Sequence, residues 1–292
     1  DRALAAWLAD EAVGKAVHDG KGPLLATWSR GWDLRGLASD TQLAAYLLRP
    51  DQRVYDLADL VARNLRRELA VAGSGAEAGD QAAFVFDDDS AATDSMIRAR
   101  AVVELAAALE AELDRQGGTR LLREVELPLT RTLATMEREG IAVDADYLDR
   151  LHTEFDASVA AAESDAFAVL GRPVNLGSPK QLQAVLFDEL AMPKTRRTQT
   201  GWTTDAESLE GLYAKTEHPF LAHLLRHRDQ IRLRQTVEGL QKSIAGDGRV
   251  HTTYVQTIAS TGRLSSTDPN LQNIPIRTED GRRIRQAFVV GD

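Results

Sequence analysis

The sequence contains no cysteine, which excludes a disulfide framework, a thiolate zinc site and a cysteine nucleophile together. That composition fits a reducing compartment. Lysine is scarce too: only 6 of the 35 basic residues are Lys, while alanine is abundant, a pattern read as coding bias rather than as mechanism. No stretch approaches the roughly 20 consecutive apolar residues of a membrane span. The opening "DRALAAWLADEAVG" is acidic where a signal peptide would be basic. The expectation is a soluble, cytoplasmic chain with no membrane partner.

Self-contained catalytic machinery is also missing. There is no G-x-S-x-G, no Walker A loop and no G-x-G-x-x-G. The 6 histidines include one close pair at helical spacing, His223 and His227, without the intervening Glu of a zincin helix. A solvated helix face is expected there rather than a zinc site. The acids from Asp87 to Asp94 lack the Gly and closing Glu of an EF-hand and read as a solvated loop. No catalytic and no metal-ligating residue is assigned.

What is present points elsewhere. At 292 residues the chain exceeds what one hydrophobic core usually supports, so two or more domains are expected. The net charge of −9 is unevenly spread: residues 1–118 hold 13 basic against 20 acidic side chains, whereas residues 172–242 hold 11 against 8 and residues 249–292 hold 6 against 4. A polyanion partner needs local positive potential rather than a basic total, so the second half could meet nucleic acid. Ordinary surface variation explains offsets of this size equally well.

Apolar residues at helical spacing predict a helix pair in "DTQLAAYLLRP" and "VYDLADLVARNL", broken at Pro50. From Gly73 to Asp94 periodicity is lost and a surface loop is expected. Helix resumes in "SMIRARAVVELAAALEAELDRQG" and stops at Gly117-Gly118. "LPLTRTLATMEREGIAV" sets Leu129, Leu133 and Met136 on one stripe and ends at Gly140. A long amphipathic helix follows, closed by Gly171. Ser178 with Gln181, and Thr204 with Glu207, have capping-box spacing. The basic, hydroxyl-rich connection "MPKTRRTQTGW" lies between them. "HPFLAHLLRHRDQIRLRQTVEGLQKSI" predicts another long helix, and "RVHTTYVQTIAS" and "RQAFVV" predict strands. The fold class is therefore mixed α/β, helix-rich in the middle and β-leaning at the end.

Several stretches are rich in hydrogen-bond donors. Arg228 and Arg232 are four apart on one predicted helix, a spacing that suits successive phosphates. The connection with Lys194, Arg196, Arg197, Thr198, Thr200 and Thr203 offers cations and hydroxyls near a helix N-terminus. In "TGRLSSTDPNLQNIP", Arg263 could place its guanidinium in a duplex minor groove, where every Watson–Crick pair presents purine N3 or pyrimidine O2. Asn270, Gln272 and Asn273 could donate to the same acceptors. Salt-bridged surfaces, and Asx or Ser/Thr turns that serve their own backbone, are the alternatives.

With those residues in view, "STGRLSSTDPNLQNIPIRTEDGRRIRQAF" resembles the signature preceding the first catalytic strand of the bacterial family A DNA polymerases. "ELPLTRTLATMEREGIAVD" resembles the opening of their polymerase domain. "NLGSPKQLQAVLF", "TQTGWTTDAESLEGL" and "RHRDQIRLRQT" resemble their thumb. The likeness covers almost the whole chain, strongly from about residue 120. It implies a partial ribonuclease H-like 3′–5′ exonuclease domain over residues 1–118, a thumb with connecting helices over 119–248, and the start of a palm over 249–292.

By that resemblance Arg263, Asn270, Gln272 and Asn273 meet the primer–template minor groove, and Arg277 lies near the templating pair or the incoming nucleotide. Ser178, Lys180, Thr198, Thr200, Gly201, Arg228 and Arg232 hold the sugar-phosphate backbone. Where the family often has Tyr, this chain has Val237, which removes any contact through that hydroxyl. The implied partners are primer–template DNA and deoxynucleoside triphosphates, and the implied cofactor is Mg2+, for a monomer associated with the nucleoid. The first catalytic Asp is expected past Asp292, so the segment is expected to be inactive alone. A non-catalytic duplex-binding module on a thumb scaffold is the alternative. In the exonuclease-like part, "KGP" at Lys21–Pro23 and "MIRAR" at Met96–Arg100 stand where active relatives carry carboxylates. The family's first acidic exonuclease motif is expected upstream of Asp1, and no proofreading activity is expected.

Overall fold

A computed structural model describes residues 1–69, 88–199 and 201–291. Along the chain lie α1 (Arg2–Ala9), β1 (Lys15–Val17), α2 (Lys21–Trp28), β2 (Leu37–Asp40), α3 (Thr41–Leu48), α4 (Leu57–Leu65) and α5 (Asp88–Gln116). Then come α6 (Thr119–Leu121), a π-helical turn (Leu122–Glu126), α7 (Leu127–Glu139), β3 (Ile141–Ala142), α8 (Ala145–Leu170), α9 (Pro179–Gln183) and a second π-helical turn (Ala184–Glu189). The rest comprises β4 (Arg197–Thr198), β5 (Gly201–Trp202), α10 (Ala206–Thr216), α11 (Pro219–Lys242), β6 (Arg249–Val250), β7 (Thr253–Val255), β8 (Ser265–Thr267) and α12 (Glu279–Arg285). The architecture is mixed α/β and rich in helix. It divides into two compact units: residues 1–140 with 252–272, and residues 141–251 with 273–292.

In the first unit, β1 and β2 run parallel with α2 as the crossover between them. Asp40, at the end of β2, is buried and accepts from the N–H groups of Gly20 (2.7 Å), Asp19 (3.2 Å), Gln42 (2.9 Å) and Leu43 (3.3 Å). Burial raises its pKa, and the N–H groups of Gly20, Leu43 and Gln42 together with His18 oppose the shift. One carboxylate thus caps α3 and ties the ends of both strands. The core joins Leu43 and Tyr46 of α3, Leu60 and Val61 of α4, and Leu105, Leu109 and Leu113 of α5. The expected helix pair is therefore present. The loop predicted from Gly73 lies outside the described residues as far as Asp87, and α5 begins at Asp88 rather than after Asp94.

α7 departs from its predicted stripe. Met136 is 45% exposed, whereas Leu127, Thr130, Leu133, Ala134 and Glu137 are buried. Two polar residues on a buried face require partners, and both find them on the segment that contains β7. The strand predicted over residues 249–260 is in fact broken: β6 pairs antiparallel with β3, and β7 pairs antiparallel with β8.

In the second unit, α8 starts at the cap Asp144, which accepts from Tyr147 N–H at 2.8 Å, and stops at Gly171 in the left-handed region (φ 68°). Its buried residues Leu148, Leu151, Phe155, Val159, Ala162 and Ala166 recur at helical spacing and pack along α11. Each large side chain so buried contributes about 1.5–3 kcal/mol. The flanking ion pair between Arg234 and Asp156 (2.6 Å), with an exposed acid, adds only about 0.2–1 kcal/mol. A second core joins Leu182, Leu186, Leu209, Leu212, Phe220 and Leu224.

Three local expectations are corrected in this unit. Asp205, not Thr204, caps α10, accepting from Ser208 N–H at 2.8 Å, because a carboxylate accepts more strongly than a hydroxyl. At α9 the Ser178 hydroxyl accepts from Gln181 N–H at 3.4 Å, but the Gln181 side chain accepts from Asn175 N–H at 2.9 Å instead of returning to the cap. "RQAFVV" is not a strand. α12 runs to Arg285, only Phe288 bridges to Val143, and Val290 is 99% exposed, since the short β3 edge offers no longer partner.

His227 is also not solvated: it lies on the buried stripe of α11 with Leu224 and is 6% exposed. Burial holds its pKa below the ordinary value of 6.5, with Arg228 and Arg234 acting in the same direction and Glu163 against. The unfolded chain therefore takes up this proton at a higher pH than the folded chain does. Stability is full above about 6.5 and falls as the pH drops toward the folded pKa. Urea denaturation from pH 8 to pH 5 should show that decline, and His227→Gln should flatten it.

Candidate duplex-binding residues

Arg263 sits in the turn between β7 and β8 and is exposed. Gly262 beside it adopts φ 76°, and its N–H donates to Ala259 O at 3.2 Å, which closes the turn tightly. The Arg263 guanidinium has no partner among the described residues. Gln272 is brought next to it: its amide donates to Leu264 O at 2.9 Å. Asn270 accepts from Gln272 N–H at 3.0 Å, an Asx turn, and Leu271 N–H donates to Ser266 Oγ at 3.1 Å. The turn reading of this loop is present in its hydrogen bonds. Asn270 and Gln272 serve the backbone, and by doing so they give Arg263 a rigid base.

In the second unit, Asn273 and Arg277 are exposed before α12. Arg277 O accepts from Arg282 at 3.2 Å, Thr278 caps the helix at Gly281 N–H (3.1 Å), and Arg285 donates to Ile274 O at 3.0 Å. The side chains of Arg277 and Lys180 have no partner among the described residues. Lys180 is exposed in the first turn of α9, beside the cap Ser178. Charges left unpaired at the surface are the ones most readily available to phosphates.

Arg228 and Arg232 differ from that group and from each other. Arg228 is half-buried and donates to Thr204 O, which fastens the start of α10 to α11. Arg232 is 68% exposed and lies 3.5 Å from Asp229. Val237 is fully buried, so that position belongs to the core of this chain.

The basic connection folds into the β4–β5 hairpin, with Arg197 opposite Trp202 and Thr198 opposite Gly201. Thr198 Oγ donates to Gly201 O at 2.9 Å. Gly201 has φ 125°, a backbone conformation that strains any L side chain, and a Cβ there would also meet the Gln183 Oε1 that accepts from Trp202 N–H. Glycine is thus needed for the hairpin itself. Thr200 lies outside the described residues. Trp202 was not singled out from the sequence, yet Lys194 and Arg197 stand 5.3 and 5.8 Å from its ring. It organises the cations of the connection, and a lone Trp in a basic, hydroxyl-rich segment was the available signal.

The polar residues under the β7–β8 hairpin were missed as well. Glu137 Oε1 accepts from Lys21 Nζ at 2.5 Å and from Tyr254 N–H at 2.6 Å, and Lys21 also donates to Tyr254 O. Gln256 donates to Glu126 Oε2 at 2.6 Å, and Thr130 donates to Gln256 Oε1 at 3.1 Å. Their only trace in the sequence is polarity at apolar-stripe positions of α7. Of the two residues that the resemblance sets against exonuclease carboxylates, Pro23 lies in the first turn of α2, and Arg100 is on α5, 80% exposed and 2.8 Å from Glu104.

The sequence pattern described as DNA polymerase family A matches residues 145–292, and that described as DNA polymerase I, ribonuclease H-like domain, matches residues 1–76. DNA polymerase I of Mycobacterium bovis is 57% identical over 295 positions, covering 100% of this chain and 32% of the relative. DNA polymerase I of Geobacillus stearothermophilus is 40% identical, covering 99% of this chain and 33% of the relative. The chain therefore spans about a third of the length of the curated relatives it matches. A solved structure, the POL domain of Pol1 from M. smegmatis in complex with DNA primer-template and dNTP, superposes with a TM-score of 0.90 at 55% identity, covering 100% of this chain and 48% of that one. With a family match over residues 145–292 that includes the α8–α11 pair and the Arg263 turn, the chain belongs to DNA polymerase family A.

Proposed function

We propose that this chain supplies the primer–template grip of a template-directed DNA polymerase acting in replication and repair. The observation that carries the proposal is the Arg263 turn: an exposed, unpaired guanidinium on a hairpin braced by Gln272. Such a group can reach the N3 and O2 acceptors common to all correct pairs. It thereby tests pair geometry without reading sequence. By the family resemblance Asn270 and Asn273 would donate to such acceptors, and Arg277 would meet the incoming nucleotide. Lys180, Arg232 and the β4–β5 hairpin are suited to the sugar-phosphate backbone, where contacts position rather than specify.

On this reading residues 1–118 are the end of a ribonuclease H-like exonuclease domain without proofreading activity, because Pro23 and Arg100 replace carboxylates. Residues 119–248 are the thumb with its connecting helices, and residues 249–292 open the palm. In the complete polymerase the primer 3′-hydroxyl attacks the α-phosphate of a deoxynucleoside triphosphate, its proton departs, and pyrophosphate leaves. Divalent cations, Mg2+ by family likeness, would stabilise the developing charge. Among the described residues no three His, Asp or Glu side chains gather to hold one. The test is binding of a primer–template duplex by this chain across a salt series. A log–log slope of several units is expected, and affinity indifferent to salt would overturn the proposal.

A further inference from the structure

The segment that carries Arg263 is fastened at its root, its middle and its tip by residues from distant parts of the chain. At the root, Lys21 and Glu137 hold both backbone groups of Tyr254. In the middle, Gln256 is held by Glu126 and Thr130. At the tip, the hydroxyl of Tyr46, on α3, donates to Ala259 O at 2.6 Å. That carbonyl also accepts from Gly262 N–H, the residue beside Arg263. Tyr46 is 3% exposed, and its ring meets Tyr55 edge-on at 5.9 Å, so its hydroxyl is delivered by a packed aromatic pair and not by a mobile side chain.

We propose that Tyr46, from the exonuclease-like part of the chain, is a positioning residue for the polymerase reaction: it fixes the Ala259–Gly262 turn and so aims Arg263 into the duplex. The part of the chain that has lost its own carboxylates thereby keeps a task in polymerisation. A guanidinium on a hairpin tip gains affinity only to the extent that the tip is already ordered. A turn whose carbonyl is gripped from beneath loses less freedom when DNA arrives. The inference rests on the duplex-facing role of Arg263.

The test is a double-mutant cycle in the complete polymerase with Tyr46→Phe and Arg263→Ala, reading kcat/KM for extension of a matched primer. Tyr46→Phe removes one hydroxyl and keeps the ring, so the thermal midpoint should shift by only a few degrees. Extension should fall about threefold to tenfold, the worth of one buried hydrogen bond. In the Arg263→Ala background the same substitution should have no further effect, because there is nothing left to aim. Hydrogen exchange should also quicken at residues 261–264 in Tyr46→Phe alone. If Tyr46→Phe costs the same with and without Arg263, the hydroxyl is merely structural and the inference is wrong. If Arg263→Ala is itself without effect, the duplex-facing reading of Arg263 fails instead, and the aiming role falls with it.

Discussion

Arg263→Ala in the complete polymerase is expected to lower kcat/KM for extension of a matched primer about tenfold to hundredfold, the range that one charge-assisted contact of about 1.5–3 kcal/mol supplies. The fold should not notice. The side chain is exposed and touches no partner among the described residues, so a surface change of this kind stays within about 0.5 kcal/mol of wild-type stability. That separation makes the experiment decisive: lost extension with an unchanged thermal midpoint can come only from the duplex side. Arg263→Lys should recover part of the rate, since an ammonium keeps the charge but not the planar fork. Steady-state primer extension is the measurement, and incorporation at the wild-type rate would remove the minor-groove role.

The largest loss of stability is expected from Lys21→Met, about 3–5 kcal/mol in urea denaturation, because it leaves the Glu137 carboxylate buried without its cation. Lys21 is 14% exposed and Glu137 is 9% exposed. Exposed pairs such as Arg120 with Glu124, 84% and 60% exposed, should change by less than about 1 kcal/mol when broken. Adding Glu137→Leu should restore only part of the loss. The charge problem disappears, but Tyr254 keeps an N–H and a carbonyl that both bonds had satisfied. A Lys21→Met protein as stable as wild type would mean that the ion pair contributes little to holding β7.

Much of the fold was legible in the sequence because its causes are local. Gly140 and Gly171 end their helices, and α8 is the long amphipathic helix expected before Gly171. The errors share a cause. Met136 was placed by its spacing and His227 by the missing zincin Glu, and the packing of neighbouring elements exposed the first and buried the second. Thr204 lost the cap to Asp205, whose carboxylate is the stronger acceptor, and Thr204 O accepts from Arg228 instead. "RQAFVV" has strand composition and no edge long enough to pair with.

The candidate site divides along the same line. Arg263 was singled out by the donors clustered around it, whereas Lys180 and Arg277 were named only through the family resemblance. That Arg228 turns inward to Thr204, and that Gln183 accepts from Trp202 N–H beside Gly201, depended on what stood across from them.

The residues of this chain by themselves determined its longer helices, several of their ends, its family likeness and the turn-forming loop around Arg263, since each is set by neighbours within a few positions. Only the tertiary structure decided what holds that turn. Lys21 and Glu137 are 116 positions apart, and Tyr46 and Ala259 are 213 apart. A hydrogen bond between such distant groups leaves no periodic mark, because the backbone between them can close by many routes and the packed core selects one.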